Sequence, residues 1–457
     1  MKKSPTSRSL KLFGLAARVG TSEMAQSIKA KFSKAGDELT AGKLTARLDQ
    51  AKWIAENLSQ MKGAAMKVGQ LLSIDAGDYF PPEAMAILAK LQSSAEPVDF
   101  DVVRKVLVED IGEKKLGDFE DLSVIADAAA SIGQVHRARL FGKPVAIKVQ
   151  YPGVAEAIDS DLQILKRVAK SFLGASGREM DMGPMFAEFR RVLEQEADYH
   201  AELQLMLEYR TNIRETSAKQ NRPLWDAQFG PLYRVPEPIE SHSGRRVLTM
   251  SWEDGVGIDT WLRSRPSVER RERVAHALLN LFCQEFFEWG LVQTDPNFAN
   301  FLIAPDDALV LLDFGATLRY EEEFRVRYRH FLKAMGSLDG DKIIREGEAF
   351  GLISERESVE TKKLFAELLI NSVEPFFASK QPFQFDDSDY VKRSREAGTK
   401  FGRSLRFSPP PQRILFLHRK LGGIFNFVKK LEVRLDLTPY WHKMVGDELP
   451  TVPGDQS

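Results

Sequence analysis

The chain has one cysteine, seven histidines and almost no net charge, −1 at pH 7. It also lacks an apolar run of the roughly 20 residues needed to cross a bilayer. Each shortage excludes something. Cys283 alone builds no disulfide framework, and its place in an amphipathic run between Phe282 and Phe286 reads as a small buried hydrophobe in a reducing compartment. The histidines are scattered without ligand spacing, so no zinc site is expected. No transmembrane helix is expected, and no secretory signal, because the uninterrupted apolar region of one is missing. Balanced charge gives no case for nucleic acid as a partner. What is present, 457 residues that are 43% apolar and 28% charged, suffices for a sizeable core.

The first 22 residues hold Lys2, Lys3, Arg8, Lys11 and Arg18 and no acid, interleaved with Leu10, Leu12, Phe13, Leu15 and Val19. A membrane-surface helix, a mitochondrial presequence and a frayed basic terminus all fit this pattern. Residues 40–74 have helix-spaced apolar positions, among them Leu44, Leu48, Trp53, Leu58 and Leu72, and a second helix starts at Pro82 and runs to about Leu91. Toward the other end, Pro409-Pro410-Pro411 breaks the pattern before a last helical region and a disordered tail.

The most specific feature is Asp295-Pro-Asn-Phe-Ala-Asn300, then twelve residues, then Asp313-Phe314-Gly315. A kinase catalytic loop needs an Asp near the acceptor and an Asn five positions on for a divalent metal, with a second metal-binding Asp in a following Asp-Phe-Gly. The apolar run Leu309–Leu312 reads as a buried strand that delivers Asp313 to a cleft. Upstream, Val145-Ala146-Ile147-Lys148 matches the strand whose lysine pairs with nucleotide phosphates. One hairpin earlier lies the run Ala128-Ala129-Ala130-Ser131-Ile132-Gly133-Gln134-Val135. Kinases place glycines where this chain has Ala128, Ala130 and Gly133, and two methyl groups there restrict positive φ and change how the loop holds phosphates.

These motifs, with Lys67-Val68-Gly69-Gln70, Glu196-Ala197-Asp198 and Leu417-His418-Arg419-Lys420-Leu421-Gly422-Gly423, resemble the UbiB/ADCK family of atypical kinase-like proteins over residues 45–430. The similarity is greatest to the mitochondrial and proteobacterial branch that supports ubiquinone biosynthesis. The resemblance implies an α+β, two-lobed protein-kinase-like fold, mostly α-helical, with an N-terminal helical extension over the active site. The expected division is a basic segment 1–40, a helical extension 41–115, an N-lobe 116–253, a helical C-lobe 254–447 and a tail 448–457. ATP and Mg2+ are the implied cofactors.

The resemblance further implies that Lys67, Gly69 and Gln70 form a lid where a protein substrate would otherwise enter. It assigns Glu196 and Asp198 to that lid and Glu202 to Lys148. The pattern of residues 183–210, read as one helix with Phe189, Leu193, Leu203 and Leu207 on its core face, turns Glu196 inward instead and Glu202 away. Both pairings stay open. Candidate catalytic residues are Asp295, Lys148, Glu196, Glu202 and Lys67, and candidate metal ligands are Asn300 and Asp313. ATP contacts are expected along Ala128–Gly133, Val135 and Lys148, and at a hinge after Val247 that includes Ser251 and Glu253.

Departures from protein kinases bear on activity. Gln293 stands where His is usual before the catalytic Asp, Asn297 stands two residues after it in place of Lys, and no Ala-Pro-Glu follows Asp313. ATP hydrolysis or transfer to a small molecule is expected over protein phosphorylation. The alternative is a non-catalytic, nucleotide-gated module that presents lipids or partner enzymes. Expected partners are an anionic membrane surface and quinone-pathway lipids or enzymes, at the cytoplasmic face of a bacterial inner membrane or the matrix side in a mitochondrion. A homodimer is among the open oligomeric states.

Overall fold

The computed structural model describes residues 98–176, 183–220, 232–407, 412–446 and 449–451. Lys67, Gly69, Gln70, the helices expected before residue 92 and the basic N-terminal segment lie outside them. The chain divides into two compact units, residues 1–96 with 153–172, and residues 97–152 with 173–457.

The second unit begins with helix α1 (Phe100–Ile111) and an antiparallel sheet of β1 (Phe119–Glu120), β2 (Ala128–Ala130), β3 (Gly133–Leu140) and β4 (Lys143–Gln150). Phe141 and Gly142, both at positive φ (51° and 74°), make the tight β3–β4 turn. Alternation along β3 and β4 sends Ala138, Leu140, Val145, Ile147 and Val149 to one face, where Val103, Val106, Leu107 and Ile111 of α1 cover them. Each of the Val, Leu and Ile side chains contributes about 1.5–3 kcal/mol on burial. The same alternation leaves Val135 and Lys148, partners in the β3–β4 register, on the opposite face. Helix α1 lies inside the range 41–115 that the sequence assigned to a helical extension.

Helix α2 (Val154–Ser176) supplies the described part of the first unit, and Val154, Ala157, Ile158, Leu162 and Leu165 form its buried stripe. Back in the second unit, the single helix expected over 183–210 is two helices, α3 (Gly183–Glu196) and α4 (Tyr199–Gln220). Asp198 breaks them apart by accepting the backbone amides of His200 and Ala201, which caps α4. Gln150 Nε2 donates to the Ala197 carbonyl at the break. The interruption resets the helical phase. Leu203 is buried but Leu207 is 38% exposed, and Glu202, expected to face away, has no exposed surface.

Strand β5 (Tyr233–Arg234) leads to β6 (Val247–Ser251), which pairs with β4 and completes the sheet. The larger lobe follows. Helix α5 (Val268–Cys283) continues as one π-helical turn, Gln284–Trp289, and Gly290 at φ 66° ends it. Then come β7 (Leu291–Gln293), β8 (Phe301–Ile303), β9 (Leu309–Leu311) and β10 (Thr317–Arg319), with β7 antiparallel to β10, β8 antiparallel to β9, and β5 parallel to β9. Helices α6 (Glu322–Gly336), α7 (Gly340–Ala349), α8 (Val359–Val373), α9 (Ser388–Ser404), α10 (Gln412–Leu431) and α11 (Thr438–Val445) finish the lobe. Between them, β11 (Phe383–Gln384) pairs with β12 (Arg434–Leu435).

Helix α5 runs through this lobe, packed on α10 and α11. At its end Phe286 meets Tyr320 and Tyr328 edge-on, with ring centroids 5.3 and 5.2 Å away. Burial pushes the Cys283 thiol up to about 12, which leaves it a protonated, apolar core group.

His276 of α5 stacks on Tyr440 of α11 with ring centroids 5.9 Å apart. Burial holds its imidazole at about 4, below the ordinary 6.5. As pH falls the unfolded chain takes up this proton first, so stability drops between about pH 6.5 and pH 4. A His276→Gln chain loses that component, and its urea midpoint should vary less steeply across the window. Parallel curves for the two chains would show that His276 does not titrate with folding.

Candidate functional site

Strand β4 ends beside α4, and there Lys148 Nζ sits 2.9 Å from both carboxylate oxygens of Glu202. The amide of Phe314 donates to the same carboxylate at 3.2 Å. Asp313 Oδ2 lies 3.7 Å from the ammonium. Glu202 is fully buried and the Lys148 side chain is 6% exposed. Burial alone lowers the Lys148 pKa, but Asp313 and Glu202 outweigh it and hold the ammonium charged. Burial raises the Glu202 carboxyl, opposed by Lys148. The structure thus settles the pairing left open by the sequence in favour of Glu202. Glu196, at the end of α3, is buried beside Gly315, where a Cβ would stand 3.0 Å from its Cγ. Asp198 is at the α4 cap, 3.8 Å from Arg245.

The strands β7 to β10 bring the two loop motifs together. Asn300 closes a short turn whose cap is Asn297, which accepts the Ala299 amide. In this position the replacement for the kinase lysine serves local backbone geometry. The Asn300 carbonyl accepts the Leu312 amide, which sets it beside the Asp313 turn. Asp313 Oδ1 accepts the Gly315 amide at 2.9 Å, and Gln293 Nε2 donates to the Asp313 carbonyl at 2.9 Å. Gln293, in the place of the usual His, therefore ties the strand before Asp295 to the Asp-Phe-Gly turn. On the α3 side, Gln195 donates to the carbonyls of Gly315 and Thr317.

Helix α10 closes the site from the larger lobe. Arg419 Nη2 donates to Asp295 Oδ1 at 3.1 Å, with both side chains buried. Lys420 Nζ reaches Gln293 Oε1 at 3.1 Å and Glu285 at 3.0 Å, and Tyr209 donates to Glu285 at 2.9 Å. Burial raises the Glu285 pKa against the pull of Lys420. The helix reaches this close because Gly423 has no side chain: a Cβ there would fall 1.9 Å from that of Pro296.

The alanine run is a tight hairpin rather than an open loop. Ala128 pairs with Val135 and Ala130 with Gly133, so Ser131 and Ile132 make the turn, and Ile132 is buried. Gly133 is required by packing, since a Cβ there would stand 2.3 Å from the Val149 carbonyl oxygen. At the hinge, the Ser251 amide donates to the Glu237 carbonyl and its hydroxyl to Glu253. A cavity of about 460 Å³ lined by Leu207, Arg210, Tyr233, Val235 and Glu253 opens between α4 and β5. None of Lys148, Glu202, Asp295 or Asp313 lines it.

Asp313 and Asn300 offer hard oxygen donors, a carboxylate and an amide carbonyl, on adjacent loops tied by the hydrogen bond from the Leu312 amide to the Asn300 backbone carbonyl. That donor set fits Mg2+, which takes one or two protein oxygens and completes its shell with phosphates and water. Sequence reasoning assigned no role to Arg419, Lys420, Glu285, Gln195 or Tyr199. The available signal was charge in apolar helices: buried Arg, Lys and Glu require partners.

The model of the ABC1 atypical kinase-like domain matches residues 90–346, which is 257 of the chain's 457 residues. The mitochondrial atypical kinase COQ8 of Saccharomyces cerevisiae is 31% identical over 92% of this chain and 81% of its own length. Mitochondrial COQ8B of Rattus norvegicus is 32% identical over 84% of this chain and 70% of its own. The mitochondrial coq-8 of Caenorhabditis elegans is 32% identical over 86% of this chain, which spans half of that relative. Among solved structures, the complex of Rv3197 with erythromycin from Mycobacterium tuberculosis shares the fold at a TM-score of 0.59 and 24% identity, over 89% of this chain and 98% of that one. Kinase-type motifs, an antiparallel sheet lobe on a helical lobe and these relatives converge: the chain belongs to the ABC1, or UbiB/ADCK, family of atypical kinase-like proteins.

Proposed function

We propose that the chain binds Mg-ATP against Lys148, Asp313 and Asn300 and hydrolyses it, or passes its phosphoryl group to a small molecule, in support of isoprenoid-quinone synthesis at a membrane surface. The observation that carries this reading is the closed Lys148–Glu202 pair beside Asp313, because in kinases the same lysine and glutamate must meet before phosphates are gripped. Lys148 would hold phosphate oxygens, Asp313 and Asn300 would hold the metal, and Asp295 would orient the attacking hydroxyl or water. Bound Mg2+ supplies neutralisation of phosphate charge. The hairpin Ala128–Val135 covers the phosphates, and with the Ser251 amide engaged, the chain near Glu253 is left to meet the base.

The segment after Asp313 supports a small acceptor. Strand β10 ends at Arg319 and α6 starts at Glu322, so only Tyr320 and Glu321 lie where a protein kinase carries its substrate platform. The lid that the family resemblance implies for Lys67, Gly69 and Gln70 lies outside the described residues. The proposed setting is the matrix side in a mitochondrion or the cytoplasmic face of a bacterial inner membrane, and the relatives' names, which say mitochondrial, support the first. Among the described residues no helix is long and apolar enough to cross a membrane.

One observation favours the second reading, a nucleotide-gated scaffold. Arg419 Nη2 donates to Asp295 Oδ1, so one oxygen of that carboxylate is engaged by the protein's own cation instead of an acceptor hydroxyl. Phosphate release from Mg-ATP by the purified chain, with and without vesicles of anionic lipid, separates the two. Asp313→Asn should cut release by about 100-fold. Equally slow release by both chains, while both sustain quinone production in cells, would establish the scaffold instead.

The close approach of α10 gives a second test. Gly423→Ala forces a methyl against Pro296 and should destabilise the chain by about 1–3 kcal/mol while lowering turnover. Gly422→Ala is the control, since a Cβ there meets nothing within 4 Å. It should raise stability slightly, by up to about 1 kcal/mol. Equal melting temperatures for the two variants would rule out the contact.

A further inference from the structure

Tyr199 is the first residue of α4, directly after the Asp198 cap, and it has no exposed surface. Its amide donates to the Arg245 carbonyl at 2.9 Å, which fixes the backbone. The Lys148 ammonium lies 4.9 Å from its ring centroid, against the ring face. Its hydroxyl is buried with no hydrogen-bond partner among the described residues. A Cβ on Gly133 would stand 2.8 Å from that oxygen. Gly133 is the residue that follows the Ser131-Ile132 turn, and its β4 partner, Gln150, is two positions from Lys148. The side chain therefore reaches from the lysine, at its ring face, to the base of the hairpin turn, at its hydroxyl.

An unmatched buried hydroxyl is costly, and here the ring faces the ammonium while the hydroxyl lies against Gly133 of the hairpin. Burial raises the phenol pKa despite the opposing pull of Lys148, so the group is a donor at neutral pH. What it lacks is an acceptor that enters between the hairpin and Lys148. We propose that Tyr199 is a phosphate-binding residue, whose hydroxyl donates to an oxygen of the nucleotide's phosphate chain while its ring face steadies Lys148. Gly133 then also leaves space for this hydroxyl, beside the closer clash with the Val149 carbonyl that it avoids. The inference rests on the Mg-ATP reading above and deepens it.

The test is Tyr199→Phe in the full chain, which keeps the ring and removes one oxygen. Dissociation constants are measured for Mg-ATP and for adenosine, which has no phosphates, with the melting temperature of the nucleotide-free chain. The expected result is about tenfold weaker Mg-ATP binding, since a hydrogen bond to a charged group is lost. Adenosine binding should be unchanged and the melting temperature equal or higher. Wild-type affinity for Mg-ATP in the variant overturns the proposal. So does a parallel loss of ATP affinity, adenosine affinity and melting temperature, which marks a purely structural hydroxyl. If the wild-type chain does not bind Mg-ATP, the nucleotide reading itself fails and this inference falls with it.

Discussion

The buried ion pair of Lys148 and Glu202 is the constraint around which the second unit is arranged. Desolvating an ammonium or a carboxylate costs several kcal/mol each, and loss of one partner of such a pair typically costs about 3–5 kcal/mol. The structure offsets that cost by saturating the pair: Glu202 accepts twice from Lys148 and once from the Phe314 amide. Strand β4, helix α4 and the Asp-Phe-Gly turn are thereby held at one point. The break between α3 and α4 exists for this geometry, since an unbroken helix through residues 183–210 would carry Glu202 away from the sheet.

A second layer of buried charge holds the loop that carries Asp295. Arg419 neutralises Asp295, and Lys420 bridges Glu285 and Gln293. In these two layers three cations, Lys148, Arg419 and Lys420, face four carboxylates, Glu202, Asp313, Asp295 and Glu285. The carboxylate with appreciable exposure is Asp313, at 15%. The excess negative charge is thus presented where a divalent cation suits the donors, while the other carboxylates are already matched. Long-range ion pairs of this kind favour one arrangement of the loop over compact alternatives, because any shift leaves a buried charge unmatched.

Much of this was legible from the chain alone. The spacing of Asp295, Asn300 and Asp313 is dictated by chemistry, and Lys148 by the apolar strand that carries it, so local sequence points to them. The choice between Glu196 and Glu202 was not legible, because a single helical wheel assumes one continuous helix and Asp198 ends it. That signal was present, as Asp is a favoured cap residue, but it sat inside a segment whose apolar spacing fits a helix on both sides. Arg419, Lys420 and Tyr199 were illegible as site residues for another reason. Their partners lie 124, 127 and 51 positions away, counting from Asp295, Gln293 and Lys148, and no local pattern encodes such contacts. Gly133 and Gly423 look alike in sequence, yet each removes a different clash, one with β4 and one with Pro296.

The substitutions relative to protein kinases form one coherent change rather than a set of losses. Asn297 gives up the charge that its counterpart brings to the transferring phosphate and caps the turn that presents Asn300. A positive charge returns from the opposite direction, on Arg419 of α10, and grips Asp295 instead of a substrate. Gln293 replaces an imidazole with an amide that can donate to the Asp313 carbonyl and accept from Lys420 at the same time, which a neutral imidazole could do only with its two nitrogens fixed in one tautomer. Each exchange moves interactions from the acceptor side of the cleft into the protein interior. A loop stabilised that way is held by the protein's own charges, and among the described residues two, Tyr320 and Glu321, connect β10 to α6. Under the Mg-ATP reading proposed above, that short connection suits an acceptor that needs little positioning by an extended surface, such as water or a small hydroxyl compound.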